Sequence, residues 1–149
     1  MTTPQQSVPL SAPYYGASIG TAFSRFWTKY ATFSGRASRS EYWWWVLIDL
    51  VIWIVLGILA RLGGAGVTDA SGAMTGPNGL GIVVSIVIVL FALATIVPSL
   101  ALTVRRLHDA NLSGFFIFLS LVPFVGGIIV LVMTLLPSNP QGQRFDGVS

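Results

Sequence analysis

The chain has no cysteine, one histidine and only five acidic residues among its 149. Without cysteine there is no disulfide, no thiolate nucleophile and no cysteine-based metal site. Charge of either sign is scarce. Asp, Glu, Lys and Arg make up 9% of the residues, against roughly 25% in ordinary soluble domains. Two stretches, residues 70–104 and 110–143, carry no charge at all. The lone histidine stands beside an acid, but helix neighbours point apart, so the two do not make a catalytic triad by adjacency. There is no H-E-x-x-H pattern, paired carboxylate site or other multi-ligand metal cluster. The expectation is a protein that is not an enzyme and carries no metal and no cofactor.

Apolar residues fill the space instead. They make up 54% of the chain, more than a soluble fold of this size can hide. Lipid is the solvent that accepts them. The net charge of +3 comes from basic residues that flank hydrophobic runs, which fits membrane orientation and argues against nucleic acid as a partner. The opening MTTPQQSVPLSAPYY lacks the basic and apolar regions of a signal peptide. Its Pro, Gln and Ser content predicts a disordered tail over residues 1–15.

From Gly16 the pattern becomes helical. Ile19, Phe23, Phe26, Trp27, Tyr30 and Phe33 fall within an arc of about 120°, with Ser24, Arg25, Thr28, Lys29 and Thr32 opposite. Residues 16–34 therefore read as an amphipathic helix lying in the membrane interface. The alternative is a helix packed on the protein's own cytosolic surface. After FSGRASRSEYWWW, whose aromatics suit an interfacial belt, residues 42–62 are long enough to cross a hydrocarbon core of about 30 Å.

Residues 63–79, with six glycines and a proline, predict a flexible loop. They lack the third glycine of G-x-G-x-x-G and the lysine of a P-loop, which excludes a nucleotide site. Residues 80–104 predict a second span containing Pro98. Residues 105–113, RRLHDANLS, predict a polar turn. Residues 114–136 predict a third span, and 137–149 a polar tail. The fold class is an all-α membrane protein, with three transmembrane helices preceded by an interfacial amphipathic helix. No internal repeat supports an inverted-repeat transporter.

With three crossings, Arg25, Lys29, Arg36, Arg39, Arg105 and Arg106 share one side, and only Arg61 and Arg144 lie on the other. The excess of basic residues puts the N-terminus and RRLHD in the cytoplasm and the C-terminus outside. Pro123 and Gly126–Gly127 divide the third run, so the alternative is a re-entrant hairpin that returns the tail to the cytoplasm. Arg105, Arg106 and His108 suit the C-terminal end of a helix, where cations complement the dipole. Arg105 and Asp109 are spaced as an i,i+4 pair, and Asn111 or Ser113 can cap the next segment.

Gly35, Arg36, Ser38, Arg39, Glu41, Tyr42 and Trp43, followed by Pro98, Arg105, Arg106, Leu107, His108, Asp109, Ser113 and Gly114, form two ordered motifs. Together they resemble domain-of-unknown-function family 805, the YhaH-like small bacterial inner-membrane proteins. The resemblance covers about residues 20–147. It implies location and architecture, and it implies no activity. An RRLHD motif asks for more than charge, since Arg offers a bidentate fork and Lys does not. The topology puts Arg36, Arg39, Glu41, Arg105, Arg106, His108 and Asp109 on one membrane face. They can form an ion-pair lock, for instance Glu41 with Arg105, or a seat for anionic lipid headgroups.

Asp49 would lie roughly 10 Å inside the membrane boundary, where a carboxylate costs about 2.5–3.5 kcal/mol. It calls for a partner, and Thr95, Ser99, Thr103 and Arg106 form a polar stripe on the second span. An intramembrane acid is also a candidate for a proton or cation path. The sequence thus leads to a non-enzymatic inner-membrane component that binds a protein partner or anionic lipid at its cytoplasmic face. The alternative is a homo-oligomeric transporter using Asp49.

Overall fold

The computed structural model describes residues 8–146. Residues 1–7 of the expected disordered tail, and 147–149 of the polar tail, lie outside the described residues. The chain forms two compact units: Met1–Trp45 with Val97–Ser149 (unit 1), and Val46–Ile96 (unit 2). Two long helices run through both.

Helix α1 (Ile19–Thr28) begins where the Ser18 hydroxyl accepts from Thr21 N at 3.2 Å. It is shorter than the expected 16–34 segment, and its faces are divided differently. Arg25, Phe26 and Lys29 are buried, while Ile19 and Phe23 are exposed. A helical wheel puts Arg25 on the wet side because it cannot see the carboxylate that Arg25 meets inside the fold.

Helix α2 (Arg39–Leu62) starts before the expected residue 42, because Ser38 and Glu41 form a capping box. The Ser38 hydroxyl accepts from Glu41 N at 3.2 Å, and the Glu41 carboxylate accepts from Ser38 N at 2.9 Å. Helix α3 (Gly79–Asp109) contains Pro98 and continues through RRLHD, so Arg105–Asp109 are helical and not part of a loop. At 1.5 Å per residue the two helices are about 36 and 46 Å long, enough to cross a bilayer. Only 11% and 17% of their most apolar windows are buried, whereas a soluble core helix is mostly buried.

In unit 2, Trp53 meets Phe91 edge-on with centroids 5.7 Å apart. The backbones of Gly63 and Gly81 approach so closely that neither position has room for a side chain. The glycine-rich segment is more ordered than expected. Strands β1 (Val67–Thr68) and β2 (Met74–Thr75) pair antiparallel, with Val67 opposite Thr75. The Asp69 carboxylate closes the turn by accepting from Ser71 N at 2.8 Å and Ala73 N at 3.0 Å.

The third apolar run is not one continuous helix. A 3-10 helix (Gly114–Leu121), capped by Ser113 as expected, is followed by a bend at Pro123 and Phe124, whose φ is 66°. Helix α4 (Gly126–Leu135) then packs back against the 3-10 helix. The arms are about 16 and 15 Å long, half the thickness of a hydrocarbon core. Among the described residues, two helices rather than three are long and apolar enough to cross. Both ends of this hairpin meet the last turns of α3. Gly114 lies against Val104 and His108, while Arg106 bonds the carbonyls of Thr134 and Leu136. A last 3-10 helix (Pro140–Phe145) follows, capped by Asn139.

Candidate functional site

Unit 1 is organised around two buried carboxylates. Glu41 is 3% exposed. Besides closing its capping box, it accepts from Tyr14 N at 3.0 Å and forms an ion pair with Arg25. Arg25 in turn donates to the carbonyl of Ala12 at 2.6 Å and lies over the Tyr14 ring. Residues 8–15, expected as part of a disordered tail, are therefore folded onto this cluster. The expected Glu41–Arg105 pair does not form, because Arg25 occupies the carboxylate.

Asp109 is fully buried. It accepts from Arg106 at 2.8 Å, from the Tyr15 hydroxyl at 3.0 Å and from Ser138, and Arg36 stands 3.6 Å away. Its expected i,i+4 partner, Arg105, is replaced by Arg106 at i,i+3. Burial pushes the Tyr15 hydroxyl pKa up. Arg36 grips Asp146 with both sides of its fork, Nε–Oδ1 at 2.9 Å and Nη2–Oδ2 at 2.6 Å. That hydrogen bond holds the Arg36 pKa above its ordinary value.

Arg106 does more than balance Asp109. Its Nε donates to Thr134 O at 3.0 Å and its Nη2 to Leu136 O, which satisfies carbonyls at the C-terminal end of α4. Asn139 N donates to Asp109 O at 2.8 Å, and Gly142 lies against the carbonyls of His108 and Asp109 with no room for a side chain. His108 Nδ1 donates to Gly35 O at 3.1 Å, and its ring stacks on Phe145 at 4.0 Å. The two motifs and the tail are thus tied into one network. Arg39 is exposed and takes part in no described ion pair.

Arg105 is buried. Its carbonyl accepts from Ala37 N at 3.0 Å and its Nε donates to Ala101 O at 3.2 Å. Lys29 is also buried, and its pKa is pulled down to about 7 by burial and by the neighbouring charges of Arg25 and Arg105. Beside the network lies an apolar groove of about 600 Å³, lined by Phe33, Leu100, Val104, His108, Phe118 and Phe145 among others.

The second candidate group is divided between the two units. Asp49 and Thr95 belong to unit 2, Ser99 and Thr103 to unit 1. Thr95 donates to Phe91 O and Thr103 to Ser99 O, each at 2.8 Å, so both hydroxyls turn back on their own helix.

Sequence reasoning missed Arg25, Tyr15, Ser138 and Asp146 as members of the network. Two signals pointed to part of it. Ser38-x-x-Glu41 is a capping-box pattern, and in a chain with five acids Asp146 was one of few counter-charges available.

Among known proteins, the family described as "Protein of unknown function (DUF805)" matches residues 30–147. Inner membrane protein YhaI of Escherichia coli K12 is 35% identical over 116 residues, covering 78% of this chain and 84% of its own length. Inner membrane protein YhaH of the same strain is 30% identical over 116 residues, covering 78% and 85%. No solved structure matches. Two inner-membrane relatives and two long, outward-facing apolar helices support a bacterial inner-membrane location. Since the match takes in both motifs, the hairpin and the tail that locks onto them, this chain belongs to the DUF805 family.

Proposed function

We propose that the protein is a non-enzymatic component of the bacterial inner membrane that binds anionic lipid through a cytoplasmic face formed by unit 1. The charge of that unit carries the reading: it holds seven Lys and Arg side chains against three carboxylates, Glu41, Asp109 and Asp146. An internal lock needs balance, and this one has cations to spare. A positive cluster beside an apolar groove suits a molecule with an acidic head and a hydrocarbon tail.

In this reading α2 and α3 are the only two crossings, and residues 114–135 re-enter without crossing. The backbone groups at the turn of such a hairpin must be satisfied internally. Val122 N, Val125 N and Gly126 N donate to Leu119 O, Pro123 O and Val122 O, while Arg106 holds the far end through Thr134 O and Leu136 O. Seven basic residues then share the cytoplasmic side with both termini, and Arg61 alone lies opposite, a stronger asymmetry than three crossings give.

Native mass spectrometry of the protein extracted in mild detergent tests the lipid reading. Enrichment of phosphatidylglycerol or cardiolipin over zwitterionic lipid is the expected result. Co-isolation of a protein with no acidic lipid would move the reading to a protein partner.

A second reading rests on Asp49, whose Oδ1 is buried without a hydrogen-bond partner among the described residues. A homo-oligomer that lines a path with this acid would transport an ion or small solute. Proton-dependent flux into liposomes that disappears in Asp49→Asn would support it, and equal flux in both proteins would remove it.

A further inference from the structure

The three carboxylates of unit 1 are all engaged: Glu41 by Arg25, Asp109 by Arg106 and Arg36, and Asp146 by Arg36. Two buried cations are left over. Lys29 is 2% exposed and Arg105 1%. Lys29 Nζ and Arg105 Nη2 nevertheless have no hydrogen-bond partner among the described residues. They come from different elements, Lys29 closing α1 and Arg105 standing near the C-terminal end of α3. The charges lie close enough to act on one another, and the nearby Glu41 is held by Arg25. A buried cation with N–H groups that meet no acceptor, as at Lys29 Nζ and Arg105 Nη2, is costly for a fold to carry.

We infer that Lys29 and Arg105 form a binding site for a phosphate group, which supplies between the ends of α1 and α3 the negative charge that the chain does not. The donors choose the ligand. A lysine ammonium has three N–H groups and Arg105 Nη2 has two. A carboxylate offers only two oxygens, while a phosphate offers oxygens spread tetrahedrally. A compact ammonium beside a planar guanidinium is a pairing suited to phosphate. A phospholipid headgroup and free phosphate present the same chemistry, and the site rests on the lipid reading above only for the choice between them.

The full chain, delipidated in nonionic detergent, is melted while its tryptophan fluorescence is followed. Inorganic phosphate is compared with chloride at equal ionic strength. In parallel, nanodiscs of phosphatidylglycerol are compared with nanodiscs of phosphatidylcholine, and retained lipid is counted by native mass spectrometry. Wild type should show saturable stabilisation by phosphate or by phosphatidylglycerol, and Lys29→Met should need at least ten times more ligand for the same shift. Lys29→Met also guards against a folding artefact, since removing an unpaired buried charge should leave the ligand-free protein melting no lower than wild type. Arg105→Gln should lose the response as well, and if it does not fold, Lys29→Met decides alone.

Saturation by inorganic phosphate in detergent would assign the site to free phosphate, and a response confined to phosphatidylglycerol would assign it to a headgroup. Either result supports the site. Acidic lipid retained equally by wild type and Lys29→Met, with no Lys29-dependent response to inorganic phosphate, would overturn the site and leave the lipid reading standing. Lys29-dependent stabilisation by inorganic phosphate, with no acidic lipid retained, would support the site and remove the lipid reading. A wild type indifferent to both ligands would overturn both.

Discussion

Arg106 and Asp109, one turn apart at the end of α3, meet at 2.8 Å with both side chains fully buried. The contact joins three regions of the chain. Asp109 receives Tyr15 from the N-terminal segment and Ser138 from the tail, while Arg106 holds the end of the hairpin through Thr134 and Leu136. Removing one member of such a pair leaves the other charged and dry, which costs more than the pair itself contributes.

Asp109→Asn should therefore destabilise the protein by about 3–5 kcal/mol, the usual loss when one partner of a buried ion pair is removed. Arg106→Lys keeps the charge but loses the fork, so the bonds to Thr134 O and Leu136 O cannot both survive. Each charged hydrogen bond contributes about 1.5–3 kcal/mol. Thermal melting in detergent should rank wild type above Arg106→Lys, and that above Asp109→Asn. An unchanged Arg106→Lys would mean that RRLHD acts only through charge.

Arg25 and Glu41 offer a double-mutant cycle. Arg25→Glu and Glu41→Arg should each destabilise, and the exchange should recover part of the loss. Recovery should be incomplete, because an arginine at position 41 cannot accept from Ser38 N and the capping box is lost. Strictly additive losses in chemical denaturation would show that the two side chains are not coupled.

The two long apolar helices were legible because length and hydropathy decide them: residues 42–62 and 80–104 lie within α2 and α3. The gathering of Arg36, Arg106, His108 and Asp109 was legible from topology, since both motifs flank the same ends of those helices. Their pairing was not. Arg36 finds Asp146 across 110 residues of chain, and no periodicity reports a contact of that range. The hairpin in 114–136 was half visible. Pro123 and the glycine pair marked the break, but the return depends on Arg106 and on the left-handed Phe124, which are features of tertiary structure.

Topology can be measured directly. A reporter active only in the cytoplasm, fused at Ser149, should be active if the hairpin re-enters, and one inserted at Gly72 in the turn between β1 and β2 should be silent. A reporter active only outside the cytoplasm should give the reverse. Silence of the cytoplasmic reporter at Ser149 would restore three crossings.

Lys29 makes a prediction about pH. Its pKa is about 7 in the folded protein and 10.5 as an ordinary lysine, so between those values the unfolded chain binds more protons. Stability of ligand-free protein should then rise with pH from about 7 toward 10.5. Arg25 on its own helix and Arg105 on α3 lower the folded value, and Glu41 on α2 and Asp146 in the tail oppose them, but burial is the largest cause. Melting temperatures taken from pH 6.5 to about 9, below the range where tyrosine titrates, should climb in wild type and stay nearly level in Lys29→Met. An anion between Lys29 and Arg105 favours the charged lysine and raises its pKa. Saturating phosphate should therefore flatten the wild-type curve toward that of the mutant. A slope that survives in Lys29→Met belongs to another group. A flat wild-type curve without ligand would mean that Lys29 is not buried as a lone cation.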